Sequence, residues 1–231
     1  MSGRVFGYAG VLALSALLPC SLAADSLTEV FTRIDREAQA FKGMTADLTD
    51  LVHTAIVNDD ATEYGSIKLK RDKPGDTRIL LEFTRPDAKA VSVEGTQVKV
   101  YLPKANVVQV YDASSKRGAL DKALLLGFGA TSGDLKASYD ITYVGAETVA
   151  GQPTDHIKLI PKPNNEARQM IQQADLWIGP AGLALQQRFA TSASGDYRLA
   201  TYSNMKVNAS VSDKDLRIKT RPGVQINTVG K

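Results

Sequence analysis

The sequence predicts a mainly β, α+β domain in which a long antiparallel sheet curls around two or three helices. Three observations carry this. A single amphipathic helical stripe opens the chain after its N-terminal segment, and period-two alternation then takes over. About 10 or 11 strand-like runs follow at spacings of about 10 residues, joined by short Gly, Pro and Asp turns. With 231 residues and 43% hydrophobic side chains, the chain can bury one sizeable core and is too apolar for disorder. A sheet of that length tends to curl, and its concave apolar face needs helices to cover it.

The N-terminus carries Arg4, an apolar run from Val11 to Leu18, the breaker Pro19 and small residues at Ser21, Ala23 and Ala24. This is the order of a secretory signal peptide, so residues 1–24 are expected to be removed and 25–231 to form one exported domain. The apolar run is shorter than the ~20 residues a membrane span needs. Cys20, the lone cysteine, offers a second reading as an acylated anchor. Leu17 suits the position three before the cleavage point, whereas Pro19 departs from the small residue expected just before it.

Ser26 to Glu29 match a capping box, and Leu27, Val30, Phe31, Ile34, Ala38 and Phe41 form one stripe on a helix ending at Gly43. A less regular stretch runs from Ala46 to Ile56, and Asn58-Asp59-Asp60 reads as a turn. Ile67 and Leu69 alternate with lysines; Thr77–Thr84 is the next strand, and Pro86-Asp87 turns again. Val91 and Val93, then Val98, Val100 and Leu102, flank the tight turn Glu94-Gly95, and Val107 to Val110 add a strand. Ala119 to Phe128 form a second helical patch, with Gly127 and Gly129 as its end. Strands resume over 140–147, 154–160, 174–178, 183–190 and 197–205, with Gly179-Pro180-Ala181-Gly182 as a hairpin turn. The tail reads as two short apolar pieces around Arg221-Pro222-Gly223.

The chemistry that is missing narrows the function. There is no Gly-x-Ser-x-Gly, His-Glu-x-x-His or Gly-rich phosphate loop, so neither an enzyme nor a cofactor site is expected. One cysteine and two histidines, His53 and His156, offer no zinc spacing, so no metal is expected. With 28 Lys and Arg against 25 Asp and Glu the charge is nearly balanced. The densest basic group, Lys68 to Arg78, lacks interleaved aromatics and reads as a solvated strand face rather than a nucleic-acid footprint.

Several segments, in order, resemble the LolA/LolB-like superfamily of periplasmic lipoprotein carriers. They are Phe41-Lys42-Gly43-Met44-Thr45-Ala46-Asp47-Leu48 after the first helix, the strand Gly65–Arg71, and Phe83-Thr84-Arg85-Pro86. Next come the hairpin from Val91 to Pro103, then Leu176-Trp177-Ile178 with Gly182–Gln187, and the ending Arg221-Pro222-Gly223-Val224. The resemblance implies an incomplete antiparallel barrel of about 11 strands closed by a helical lid, in keeping with the strand spacing above. It also implies periplasmic residence, no catalysis, and an apolar cavity for lipoprotein acyl chains or another lipid. An inner-membrane donor complex, an outer-membrane acceptor and a monomeric carrier are likewise implied. The alternatives of the same fold are a membrane-anchored lipoprotein receptor and an envelope-stress sensor.

On that resemblance, Phe83, Val91, Val93, Val98, Val100 and Trp177 are expected to line the cavity from strands, and Leu120, Leu124, Leu125 and Phe128 to form the lid underside. In such carriers the arginine after the second strand holds the lid backbone, and Arg71 occupies that place. The family's Lys-Arg-Pro becomes Lys70-Arg71-Asp72-Lys73-Pro74 here, which sets a competing carboxylate, Asp72, beside Arg71.

Overall fold

The computed structural model describes residues 27–229, apart from 74, 75, 170 and 192. The expected leader 1–24 with Cys20, the capping residue Ser26 and the Pro74-Gly75 part of the predicted turn lie outside the described residues. Helix α1 spans Leu27–Ala40 and buries Val30, Phe31, Ile34 and Ala38, the stripe its spacing predicts. It stops short of Gly43, which instead begins β1. Its end is held by Asn208: the amide donates to the Ala40 carbonyl at 3.0 Å and the side-chain oxygen accepts the Lys42 N–H at 2.7 Å.

Six strands follow as a meander: β1 (Gly43–Thr54), β2 (Asp59–Arg71), β3 (Thr77–Arg85), β4 (Lys89–Glu94), β5 (Gln97–Leu102) and β6 (Val107–Asp112). Two short helices come next, α2 (Arg117–Leu124) and α3 (Ser132–Ser138). A second meander contains β7 (Tyr139–Val149), β8 (Gln152–Pro161), β9 (Gln173–Ile178), β10 (Ala184–Ala190) and β11 (Tyr197–Val207). The tail ends in β12 (Gln225–Val229). The two meanders join through β1 and β11, giving one sheet in the order β12-β6-β5-β4-β3-β2-β1-β11-β10-β9-β8-β7.

The sheet is not closed: β12 and β7 are its edges. All neighbours are antiparallel except β12, which runs parallel to β6. It is the strand beyond the expected count, and the tail forms it after crossing the outside of β3–β6. Helix α3 was not foreseen. It carries no apolar stripe, burying only Ser132 and Leu135, and its start rests on a capping box in which Thr131 and Asp134 bond reciprocally.

Strand alternation puts two apolar layers on opposite faces. The inner cluster joins Met44, Leu69, Ile79, Phe83, Val93, Ile157, Leu176 and Ile178 to Val30, Phe31 and Ile34 of α1 and to Leu125, Leu126, Phe128 and Leu135 near the lid. The outer cluster is smaller: Leu80, Ala90, Tyr101 and Val108 lie beneath Val211 and Leu216 of the tail.

Candidate functional site

The strands β3, β4 and β5 set the wall. Register places Leu81, Val91 and Val100 in one cross-strand row and Ile79, Val93 and Val98 in the next, all on the inner face. Phe83 follows on β3, 4% exposed, with the Lys89 amine 4.7 Å from its ring centroid. Val93 is buried and Val98 packs against the inner cluster. Val91 and Val100 are half-buried and belong to neither apolar cluster.

The lid is the segment from α2 through α3. Leu120 and Leu124 pack partly buried against the inner cluster, and Leu125 and Phe128 belong to it. Phe128 meets the buried Tyr202 edge-on, 4.9 Å between centroids. Four polar ties hold the lid backbone. Arg71 Nη1 donates to the Gly129 carbonyl at 3.1 Å. Gln187 Nε2 donates to the Leu126 carbonyl, and the Tyr202 hydroxyl donates to Gln187 Oε1 at 2.8 Å. The Ala184 N–H donates to the Gly127 carbonyl at 3.0 Å. Asp35 of α1 accepts the Ser132 N–H and hydroxyl, both at 2.6 Å. Burial pushes the Tyr202 phenol well above its ordinary range, so it stays a donor to Gln187.

Gly129 permits the close approach. Its φ is +94°, and a Cβ there would stand 2.7 Å from the Phe41 ring. At the other end, Arg117 fastens α2 to the wall: it donates to the Thr77 carbonyl at 2.9 Å and to the Gly95 carbonyl. It also grips Asp121 through Nη2 at 2.6 Å and Nε at 3.1 Å. Burial raises the Asp121 carboxyl, against the pull of Arg117. Between α2, the loop after it and α3 lies a cavity of about 390 Å³ lined by Arg71, Lys122, Leu125, Leu126, Leu135 and Tyr139 among others; of the expected site residues only Arg71 and Leu125 reach it. That volume lies within the ~300–1,000 Å³ of small-molecule sites.

Two expectations need correction. Trp177 does not line the cavity. It stands on the outer face, paired with His156 across β9 and β8. Its ring stacks on His156 at 4.3 Å and its Nε1–H donates to Glu147 Oε2 at 2.7 Å. The reason is parity: Trp177 shares its face with Asp175, while Leu176 and Ile178 take the buried side. Nor does Asp72 compete for Arg71; it pairs with Arg78 and with Lys70 at 3.4 Å on the outer side.

Sequence reasoning missed Asp35, Gln187, Tyr202, Leu126, Leu135 and Tyr139. Gln187 carried a signal, since it shares strand parity with Phe189 on the inner side, where a polar residue needs a partner. Among the described residues, no cluster of three or more His, Cys, Asp or Glu could hold a metal, and no helix is long and apolar enough to cross a membrane.

The family described as "Outer membrane lipoprotein carrier protein LolA" matches residues 39–219. No curated protein sequence matches significantly. Among solved structures, an uncharacterized conserved protein from Thermus thermophilus is similar at 11% identity and TM-score 0.54, covering 89% of this chain and 100% of that one. MucB is similar at 13% identity and TM-score 0.51, covering 83% of this chain but only 62% of that one. A DUF1329 family protein from Desulfovibrio piger aligns at 16% identity and TM-score 0.45, covering 82% and 95%. At these identities the similarity establishes the fold alone.

Proposed function

The chain belongs to the LolA family, and from that premise and the lid geometry we propose that it is an exported, periplasmic carrier that shields the acyl chains of lipoproteins or another lipid. Residues 1–24 would be the cleaved leader and 25–231 the carrier domain. The observation that supports the reading is the cavity of about 390 Å³ between α2, α3 and the end of β2, with Leu125, Leu126 and Leu135 on its apolar side. Exposing an acyl chain of about 16 carbons to water costs on the order of 12 kcal/mol, at about 0.8 kcal/mol for each CH₂. A chain crossing an aqueous compartment therefore needs such a shelter.

In this reading Phe83, Val91, Val93, Val98 and Val100 form the wall, and Leu120, Leu124, Leu125 and Phe128 the lid underside. Arg71 acts as the clamp: its bond to the Gly129 carbonyl holds the lid shut, and a ligand enters when it yields. Transfer from an inner-membrane donor to an outer-membrane acceptor by a monomer completes the scheme.

Native mass spectrometry of the purified protein tests it. Co-purifying acylated ligand is the expected result, and a chain that neither carries nor takes up any acyl lipid sinks it. Arg71→Ala should raise amide exchange over 125–130 by about tenfold, the weight of one hydrogen bond of about 1.4 kcal/mol.

A further inference from the structure

The lid cavity has a second chamber outside it. A cavity of about 330 Å³ shares Gly118, Lys122, Ala137 and Ser138 with the inner one. The inner chamber adds Leu125, Leu126, Leu135 and Tyr139 together with Arg71, Asp121 and Asp134; the outer adds Asn164, Asn165 and Glu166. The path therefore runs from an apolar interior to a polar mouth between α2, α3 and the turn Glu166–Gln169.

Charges along this path are unequally committed. Asp121 is held by Arg117, and Asp134 by the Thr131 hydroxyl at 2.7 Å. Lys122 lines both chambers and has no hydrogen-bond or ion-pair partner among the described residues. Arg71 spends one nitrogen on Gly129 and has further donors facing the inner chamber. Both cations lie close enough to Asp134 to add, after the Thr131 hydroxyl, to the lowering of its carboxyl. Beyond them, in the outer chamber, the Glu166 carboxylate is likewise unpartnered among the described residues.

We propose that the two chambers meet at a headgroup site for a zwitterionic glycerophospholipid. Its acyl chain lies in the inner chamber, its phosphate meets Lys122 and Arg71, and its ammonium meets Glu166. The inner chamber holds the leucines with both cations and the outer one the unpartnered carboxylate, which matches the chain and phosphate of such a lipid inside and its amine at the mouth. A headgroup with net negative charge satisfies the cations but leaves Glu166 facing a like charge. This proposal rests on the carrier reading and goes further by naming the ligand class.

The test compares uptake of dioleoylphosphatidylethanolamine, dioleoylphosphatidylglycerol and dioleoylglycerol from vesicles, read by native mass spectrometry. The phosphoethanolamine lipid should exceed the diacylglycerol by about tenfold, the weight of one charge-assisted hydrogen bond. Lys122→Gln, at an exposed position, should abolish that preference, and an unchanged urea unfolding midpoint shows that the variant is folded. Glu166→Gln should equalise the two phospholipids. An unchanged preference in Lys122→Gln, an equal loss of all three lipids in it, or wild-type preference for phosphatidylglycerol overturns the headgroup site. Uptake of no lipid by the wild type overturns the carrier reading itself.

Discussion

Two stretches of the one sheet treat their faces in opposite ways. In β8 and β9 the inner face is sealed: Ile157, Leu159, Leu176 and Ile178 are 0% exposed beneath the helices. Their outer face is polar and, among the described residues, carries no covering segment; it is a ladder of Glu147, His156, Asp175 and Arg188 bonded across four strands. In β4 and β5 the order is inverted. The outer face is sealed, with Ala90 and Tyr101 under the tail residues Val211 and Leu216, while Val91 and Val100 on the inner face stay half-buried. A strand needs one well-packed face to be held in place. Because the tail supplies that face from outside, Val91 and Val100 can stay half-buried on the inner side while β4 and β5 hold their place.

The largest expected effect breaks the sealed half. Leu176→Ala should cost about 2–5 kcal/mol in urea unfolding, because the cavity it leaves cannot collapse. Val100→Ala should cost about 1 kcal/mol or less yet weaken lipid loading. Equal losses from the two would mean that both walls are ordinary core. Next, Leu216→Ala should destabilise by about 2 kcal/mol and loosen β4 and β5 selectively, seen as faster amide exchange there than in β9. Uniform exchange across the sheet would deny the tail its separate role.

A smaller effect distinguishes the faces optically. Trp177 is the sole tryptophan and lies on the outer face, so lipids with brominated acyl chains should leave its fluorescence unquenched. A Val100→Trp probe in a Trp177→Phe background should be quenched on loading. Quenching at Trp177 would place the ligand on the wrong side of the sheet.

The smallest effect is electrostatic. Lys70, by hydrogen bond and charge, and Arg78, by charge, hold the Asp213 carboxyl of the tail below its ordinary 3.8. A depressed carboxyl adds stability that is fully present above the ordinary value and is lost as pH falls through the lowered one. The group is exposed, so the change should be slight. The unfolding midpoint should fall more steeply with acid below that value in the wild type than in Asp213→Asn, and parallel curves would remove the tether.

Much of this comparison could be read from residue order. Alternation marked the strands of both meanders, and the stripe Val30-Phe31-Ile34 marked α1, because periods of two and of about 3.6 leave a local trace. The parity of Trp177 with Asp175 was also legible; the family resemblance placed Trp177 inside, and the partner that makes the outside stable, Glu147, lies 30 residues away in sequence. Helix α3 left only its Thr131 and Asp134 cap as a signal, since a helix of 7 residues with one large buried side chain has no stripe.

What the sequence determined by itself is the set of strands, the first helix, the lid's apolar patch and the position of an arginine at the end of β2. Each of these rests on neighbours within a few residues. Only the tertiary structure decided which face of each strand is inner, that Arg71, Gln187 and Asp35 converge on one lid, and that the tail seals the outside of β3–β6. The lid ties join groups between 58 and 97 residues apart in the chain, and the tail meets strands still further back. Contacts at that range are chosen by how the whole sheet curls and which apolar surface it can then bury, and no local pattern encodes that.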